Sequence, residues 1–174
     1  YNTQISNTLN HCLYVEGGHV DVNNSTIAQF YPFDGNRRSA IGFKAPIDTL
    51  DVRNSLVTGY GNDEVLWTPV EEEPLKFSFD HCVLRTEKMM TEDSLRFTHV
   101  VYEDVKDTTM YGEKHFSVFD TENLIYDFHL SAKSAAIGAA DPKTALPYDR
   151  NGLKREEDKA DAGCFLYREE KKEE

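Results

Sequence analysis

The chain has 174 residues, a formal net charge of −12 and 29% charged residues, and its mean hydropathy is −0.59. Nucleic acids and anionic membrane surfaces are polyanions that attract Lys and Arg, so this charge argues against both as partners. No run of about 18 apolar residues occurs, so we expect no membrane-spanning helix. The composition favours a narrow, elongated core and permits cations or a neutral polysaccharide as partners. The overall field would oppose the approach of an acidic substrate, although a local basic loop could bind one.

A short pattern occurs three times along the chain. Its copies are HVDVNNSTI (19–27), LDVRNSLV (50–57) and FSFDHCVL (77–84). Asn24, Asn54 and His81 then occupy the same place, with separations of 30 and 27 residues. Self-similarity at this period indicates a solenoid or a propeller.

Each copy is flanked by two more strand-like runs, so that one repeat contains three short strands. In chain order these are CLYV, HVDV and STIAQFY, then AIGF, LDV and SLVTGY, then EVLW, KFSF and CVLRT. This arrangement predicts an all-β, right-handed parallel β-helix whose coils stack about 4.8 Å apart. The alternative, a propeller, needs four-stranded blades of about 40 residues or more. The Asn corner alone keeps its length, and Asn tolerates the left-handed backbone of a tight corner. Asn24, Asn54 and His81 are therefore predicted to form a structural ladder.

The other corners vary in length, and in a solenoid such insertions collect on the binding face. The loop YPFDGNRRS (31–39) brings together Asp34, Arg37 and Arg38 as catalytic candidates, and the next corner adds Asp63 and Glu64 as ligand-binding candidates. Tyr31 and Tyr60 lie beside these corners, where their rings could stack on sugars. A polysaccharide lyase needs a cation, often Ca²⁺, or a basic group to neutralise a uronate, and a base to remove a proton. The alternative is that these are ordinary solvated turn residues.

Three cysteines, Cys12, Cys82 and Cys164, have spacings that match neither a disulfide framework nor a zinc motif. The His11-Cys12 and His81-Cys82 pairs suggest a metal, but the repeat alignment places the second pair at a structural corner. We therefore predict no metal site from these pairs and no cofactor other than a Ca²⁺ ion at the corner loops.

The last third of the chain carries the motifs YDFHL (126–130), SAAIGAADP (134–142), DRNG (149–152) and DAG (161–163). In this order they resemble the closing segment of secreted bacterial right-handed parallel β-helix proteins of the pectate-lyase-like superfamily, common in gut Bacteroidetes. Ala135, Cys164 and Leu166 depart from that pattern, where Pro, Ala and Glu are usual. The resemblance implies that the segment closes the last coil, and we expect Ile137 to plug the core there.

The resulting interpretation divides the chain into β-helix coils (1–115), a closing segment of the same domain (116–167) and a charged, disordered tail (168–174). The resemblance implies a secreted or cell-surface protein, of which this chain would be the C-terminal end, with the parent protein's N-terminal coils as a partner. The first functional hypothesis is a non-catalytic glycan-binding or structural role. The alternative is part of a polysaccharide lyase or glycosidase whose active site lies mainly in those N-terminal coils.

Overall fold

The computed structural model describes residues 1–88 and 95–169 as an all-β protein in which these residues contain no α-helix. Residues 89–94 and 170–174 lie outside the description, including most of the predicted tail. A 3-10 helical turn spans Gly112–His115. The strands are β1 (Gln4–Ser6), β2 (Leu13–Glu16), β3 (His19–Asn23), β4 (Thr26–Gln29), β5 (Ile41–Lys44), β6 (Ile47–Arg53), β7 (Leu56–Gly59), β8 (Val65–Thr68), β9 (Leu75–Asp80), β10 (Val83–Leu84), β11 (Phe97–Thr98), β12 (Val101–Tyr102), β13 (Phe116–Asp120) and β14 (Ile125–Leu130).

Twelve of the strands form three parallel sheets, and successive strands along the chain belong to different sheets. Sheet 1 has the order β1-β4-β7-β10-β12, sheet 2 the order β3-β6-β9-β11, and sheet 3 the order β2-β5-β8. In sheet 2, Val22 faces Val52 and Val52 faces Phe79, which is the register that the aligned repeats predict. Parallel sheets with one strand from each repeat are compatible with the predicted solenoid. No helix among the described residues has the length and hydrophobicity needed to cross a membrane.

The corner between sheets 2 and 1 has a left-handed backbone in every repeat. The φ angles are 46° at Asn24, 49° at Asn54 and 49° at His81. The sequence repeats missed two further members, Asn2 at 50° and His99 at 52°. The backbone N–H groups of four members each donate to a carbonyl of the next repeat, at 3.1–3.2 Å. Five residues therefore form one continuous ladder, which we call the left-handed corner.

The residue after the left-handed corner repeats a second contact. Ser25 Oγ donates to the Asn23 carbonyl, and Ser55 Oγ donates to the carbonyl of Arg53, in each case two residues back. Cys82 Sγ makes the same contact with the Asp80 carbonyl. Cys82 is completely buried, and this burial raises its pKa to about 12. Its thiol is thus a packing group in the Ser position, as the aligned repeats predict.

The interior between the three sheets is filled by inward residues of equivalent register. The rings of Phe43, Trp67 and Phe77 contact one another with centroids 4.8–6.0 Å apart. Phe79 and Phe97 stack at 5.3 Å with planes only 3° apart. Stacking of like residues on successive strands is how a narrow core excludes water with few apolar side chains.

A second core lies on the outer face of sheet 1. Residues of β4 and β7 are buried on both faces, because the chain from Phe116 onward covers that sheet. The strands β13 and β14 form an antiparallel hairpin, and the irregular chain after them packs small residues, including Ala136 and Ala162, against Ala28 and Leu56. The closing segment thus lies along the side of the sheets.

This lateral position corrects the expectation for Ile137. Its side chain is only partly buried, whereas Ala136 beside it is completely buried. The physical reason is that the segment packs on the outer face of sheet 1 through alanines, so that Ile137 lies at the margin of the second core. Ile137 is therefore not the plug of the core.

The polar motif residues of the closing segment hold its irregular backbone. The carboxylate of Asp161 accepts from the N–H groups of Gly138 and Tyr167, both at 2.8 Å. Arg155 donates to the carbonyls of Asp161 and Gly163. A buried backbone without regular strand pairing needs hydrogen-bond partners of this kind. Asp161 and Arg155 therefore stabilise the fold of the closing segment.

The amides of the left-handed corner dock the closing segment onto the sheets. Asn54 Oδ1 accepts from Asp141 N at 2.8 Å, and Asn24 Oδ1 accepts from Leu146 N at 2.7 Å. The Asn54 amide nitrogen donates to Asn23 Oδ1 at 2.9 Å. Asn24 donates only weakly to the Asn54 carbonyl, at 3.5 Å. The side chains therefore bind the closing segment more than they bind each other.

Replacing Asn54 tests this double role. Asn54→Ala removes the amide and places at this corner a residue that adopts the left-handed backbone less readily than Asn. We expect the free energy of unfolding to fall by about 2–4 kcal/mol. Asn54→Gly also removes the amide but tolerates the backbone, so it should be about 1 kcal/mol less harmful. Urea unfolding measures both. The exposed Asn62→Ala is the control, and equal stability of Asn54→Ala and this control would contradict the docking role.

Candidate functional site

A cleft of about 420 Å³ lies on the outer face of sheet 3, beside the variable corners. Its floor is the row Tyr14, Gly42 and Leu66, which are register partners on β2, β5 and β8. Tyr14 and Leu66 are about half exposed. The loop at 35–39 forms one wall, and the corner at 61–64 forms another.

His11 forms the wall above the glycine of the floor. A Cβ on Gly42 would fall 2.4–2.6 Å from the His11 ring, so no larger residue fits there. The His11 Nδ1 lies 3.0 Å from both the carbonyl and the hydroxyl oxygen of Ser39, and its ring stacks on Tyr14. Partial burial is the main cause that lowers the pKa of His11. The sequence hypothesis missed this contact, although a glycine inside a strand is typical of such close approaches.

Two arginines from the variable loop line the cleft. The guanidinium of Arg37 lies 4.9 Å from the centroid of the Tyr60 ring, a cation-π contact that holds it over the corner. Arg38 is exposed, and its backbone N–H donates to the Leu9 carbonyl. Within the described part of the chain neither guanidinium forms an ion pair. Both positive charges therefore remain available to an anionic ligand.

Glu64 anchors the two corners to each other beneath the cleft. One carboxylate oxygen accepts from Ala40 N at 2.7 Å, and the other accepts from Gly61 N at 2.6 Å. The residue is 1% exposed. Burial raises the pKa of the Glu64 carboxyl to about 7, and the two hydrogen bonds and the charges of Arg37 and Arg85 offset this only in part. Glu64 lines the cleft from beneath and orders its loops, and its assignment as a ligand-binding residue stays a prediction.

The remaining candidates from the sequence have varied positions. Asp63 lines the cleft, but its Oδ1 accepts from Thr86 Oγ1 and Glu87 N, so it braces the next corner. Asp34 Oδ1 accepts from Asn36 N at 2.8 Å, a turn contact that agrees with the turn interpretation. Neither Asp34 nor Tyr31 is among the residues that line the cleft. Tyr31 instead packs edge-on against the exposed ring of Phe33.

A buried polar group joins the last strands to the closing segment. His115 Nε2 lies 3.0 Å from Glu103 Oε1, and its Nδ1 lies 2.8 Å from Ser134 Oγ. Arg85 pairs with the other oxygen of Glu103 at 3.0 Å. The side chains of His115 and Glu103 are completely buried. The hydrogen-bonded series Ser134, His115 and Glu103 resembles a catalytic triad, but all three residues are buried, and the contacts link the last strands to the closing segment.

No model of a known protein family, no curated protein and no solved structure matches this chain.

The buried carboxyl of Glu64 predicts a specific dependence of stability on pH. In the unfolded chain its pKa is about 4.3, so between there and about pH 7 the folded state keeps a proton that the unfolded state loses. The free energy of unfolding therefore falls as pH rises through this window. Relative to Glu64→Gln, the wild type should lose on the order of 2 kcal/mol between about pH 4.5 and 7.5.

Chemical unfolding across this pH range provides the measurement. The Gln amide cannot accept both N–H groups, which adds an offset that does not vary with pH. The exposed Glu122→Gln serves as control and should follow the wild-type profile. A constant difference between wild type and Glu64→Gln at all pH values would show that Glu64 ionises normally.

Proposed function

We propose that this chain is part of an extracellular parallel β-helix protein that binds an anionic glycan, without catalysis, in the cleft on sheet 3. The observation that carries the proposal is the position of Arg37 and Arg38. These cations lie in a concave site beside an exposed tyrosine, on a chain whose net charge is −12. A local positive site on an acidic protein is suited to one or two carboxylates and not to a long polyanion.

Sugar recognition is supported by the mixture of groups around the arginines. The exposed face of Tyr14 offers an apolar platform for a sugar ring, while Ser39, His11 and Thr68 provide polar atoms. Arg guanidinium groups bind carboxylates in bidentate fashion, which favours uronate residues over neutral sugars. The ligand class is therefore a glycan that presents one or two uronate residues to the cleft, either as a short oligomer or within a mostly neutral polysaccharide, and the proposal requires no Ca²⁺ ion.

The proposed β-helix rests on the rotation of the chain through three parallel sheets and on the left-handed corner. The closing-segment motifs add the resemblance to secreted Bacteroidetes proteins of the pectate-lyase-like superfamily. On this interpretation the protein is secreted or held at the cell surface, and this chain adjoins the N-terminal coils of a longer parent. The cellular location is inferred from the resemblance and not from the fold.

A lyase is the second candidate, since Arg38 and His11 supply a cation and an imidazole at one cleft. Arg37 is held over Tyr60, the His11 Nδ1 faces Ser39, and the His11 Nε2 lies against Gly42, so both groups have contacts within the protein. A glycosidase is less well supported, because it needs two converging carboxyl groups. Glu64 is buried under two backbone donors, and Asp63 is bound to the neighbouring corner.

Binding of a galacturonate oligomer, followed by calorimetry, tests the proposed function. Arg38→Ala should weaken binding about tenfold or more, because a charge-assisted hydrogen bond is lost. Tyr14→Ala should weaken it about fivefold through lost stacking. The exposed Arg150→Ala, which lies outside the cleft, is the control for net charge. A neutral cellulose oligomer that binds equally well, or an equal loss in Arg150→Ala, would contradict the proposal.

Catalysis has its own assay. With polygalacturonate and Ca²⁺, we expect no unsaturated product that absorbs in the ultraviolet, since His11 is held by Ser39 and Arg37 by Tyr60, and a lyase needs both a free base and a neutralising charge. Steady product formation that is abolished by Arg38→Ala would establish the lyase instead.

A further inference from the structure

Three potential metal ligands converge at the far end of the left-handed corner. His81 Nδ1 lies 3.0 Å from Asp80 Oδ2, and His99 Nδ1 lies 2.9 Å from Asp80 Oδ1. The two imidazole rings stack with centroids 4.3 Å apart. All three ligand atoms lie within 4.8 Å of one another, and no other such group occurs among the described residues.

The backbone fixes this arrangement before any ligand arrives. His81 and His99 are register neighbours on successive repeats, and both have the left-handed φ of the corner. The His81 N–H donates to the Thr98 carbonyl at 3.1 Å, which sets the separation of the two residues. Asp80 and Thr98 are paired residues of β9 and β11, so the carboxylate lies beside both rings. Little chain entropy would be lost on binding an ion here.

The carboxylate of Asp80 has no competing cation in the described chain. Its register neighbour Arg53 forms a bidentate pair with Asp21, at 2.7 and 2.8 Å. Asp80 Oδ1 accepts from the Thr98 hydroxyl at 2.6 Å, a contact that orients it. The Nδ1 atom of His81 is buried, and its approach to Asp80 is not a directed hydrogen bond.

The distances suit a shared ion. The donor atoms are 2.9–3.0 Å apart, and around a tetrahedral ion with ligands at about 2.1 Å they would lie about 3.4 Å apart, so a shift of about 0.5 Å accommodates the ion. Imidazole nitrogens with one carboxylate are a ligand set for Zn²⁺ and neighbouring transition ions, whereas Ca²⁺ and Mg²⁺ prefer oxygen ligands. His99 is mostly exposed, so solvent can reach the site and complete the coordination.

We propose that Asp80, His81 and His99 form a binding site for a divalent transition ion of the Zn²⁺ type, distinct from the sheet 3 cleft. The bound ion would connect β9 to the two-residue strand β11, whose own hydrogen bonds are few. It therefore stabilises the last repeat of the sheets. The proposal departs from the prediction of no metal at His81, because that prediction considered Cys82 as the second ligand and did not consider His99.

Replacing either histidine with Asn should change the stability of the fold little, because Asn already occupies the same corner position at Asn2, Asn24 and Asn54. His81→Asn and His99→Asn keep a residue that tolerates the left-handed backbone but does not supply the imidazole. Calorimetric titration of the metal-free chain with Zn²⁺ at neutral pH should show one tight equivalent. Each variant should weaken it about tenfold or more, and Asp80→Asn should do the same.

The control is His19→Asn, which alters an exposed histidine beside Asp48 on the same sheet. It should leave the tight equivalent unchanged, and Ca²⁺ should not compete. Nitrogen NMR of the imidazoles should show Nδ1 ligation at His81 and His99 on Zn²⁺ addition, with the fold verified by circular dichroism. Absence of a tight equivalent, or its survival in the folded His81→Asn/His99→Asn double variant, would overturn the proposal.

Discussion

The left-handed corner is the constraint on which the rest of the structure depends. Residues of five repeats adopt the same positive φ, and backbone hydrogen bonds connect each one to the next. Asn, Asp and His are the residues other than Gly that adopt this left-handed backbone most often, and each of the five positions holds Asn or His. A change of one residue in this spacing would turn every inward side chain of the following strand outward. The corner therefore sets the register of the parallel sheets.

A fixed corner also explains where functional groups can lie. The corners that are free to vary carry Arg37, Arg38 and the edge of the sheet 3 cleft, while Glu64 secures their backbone from beneath. The left-handed corner itself has two roles. Near its start, the amides of Asn24 and Asn54 bind the closing segment, and beyond the reach of that segment the same positions hold His81 and His99. The replacement of Asn by His along one ladder thus marks a change from docking to proposed metal binding.

The fold was largely accessible from the sequence, whereas the site was accessible only in part. The repeat pattern predicted the parallel strands and their register, because period-two alternation and a constant corner are local properties. The lateral position of the closing segment was missed, although paired apolar residues such as Leu56-Val57 and Val83-Leu84 indicate a strand buried on both faces. The loop arginines were found from composition. A glycine inside a strand indicates a close approach at Gly42, but it does not identify His11 as the partner, and the burial of Glu64 depends on packing between distant segments.

Hydrogen exchange at single backbone amides tests the central role of the corner most directly. The N–H groups of Asp141 and Leu146 lie in irregular chain, but they donate to the side chains of Asn54 and Asn24. If the corner docks the closing segment, both amides exchange as slowly as the strand amides of sheet 1, and Asn54→Gly accelerates Asp141 selectively. Exchange of both amides in the wild type at the rate of exposed loops would contradict the account.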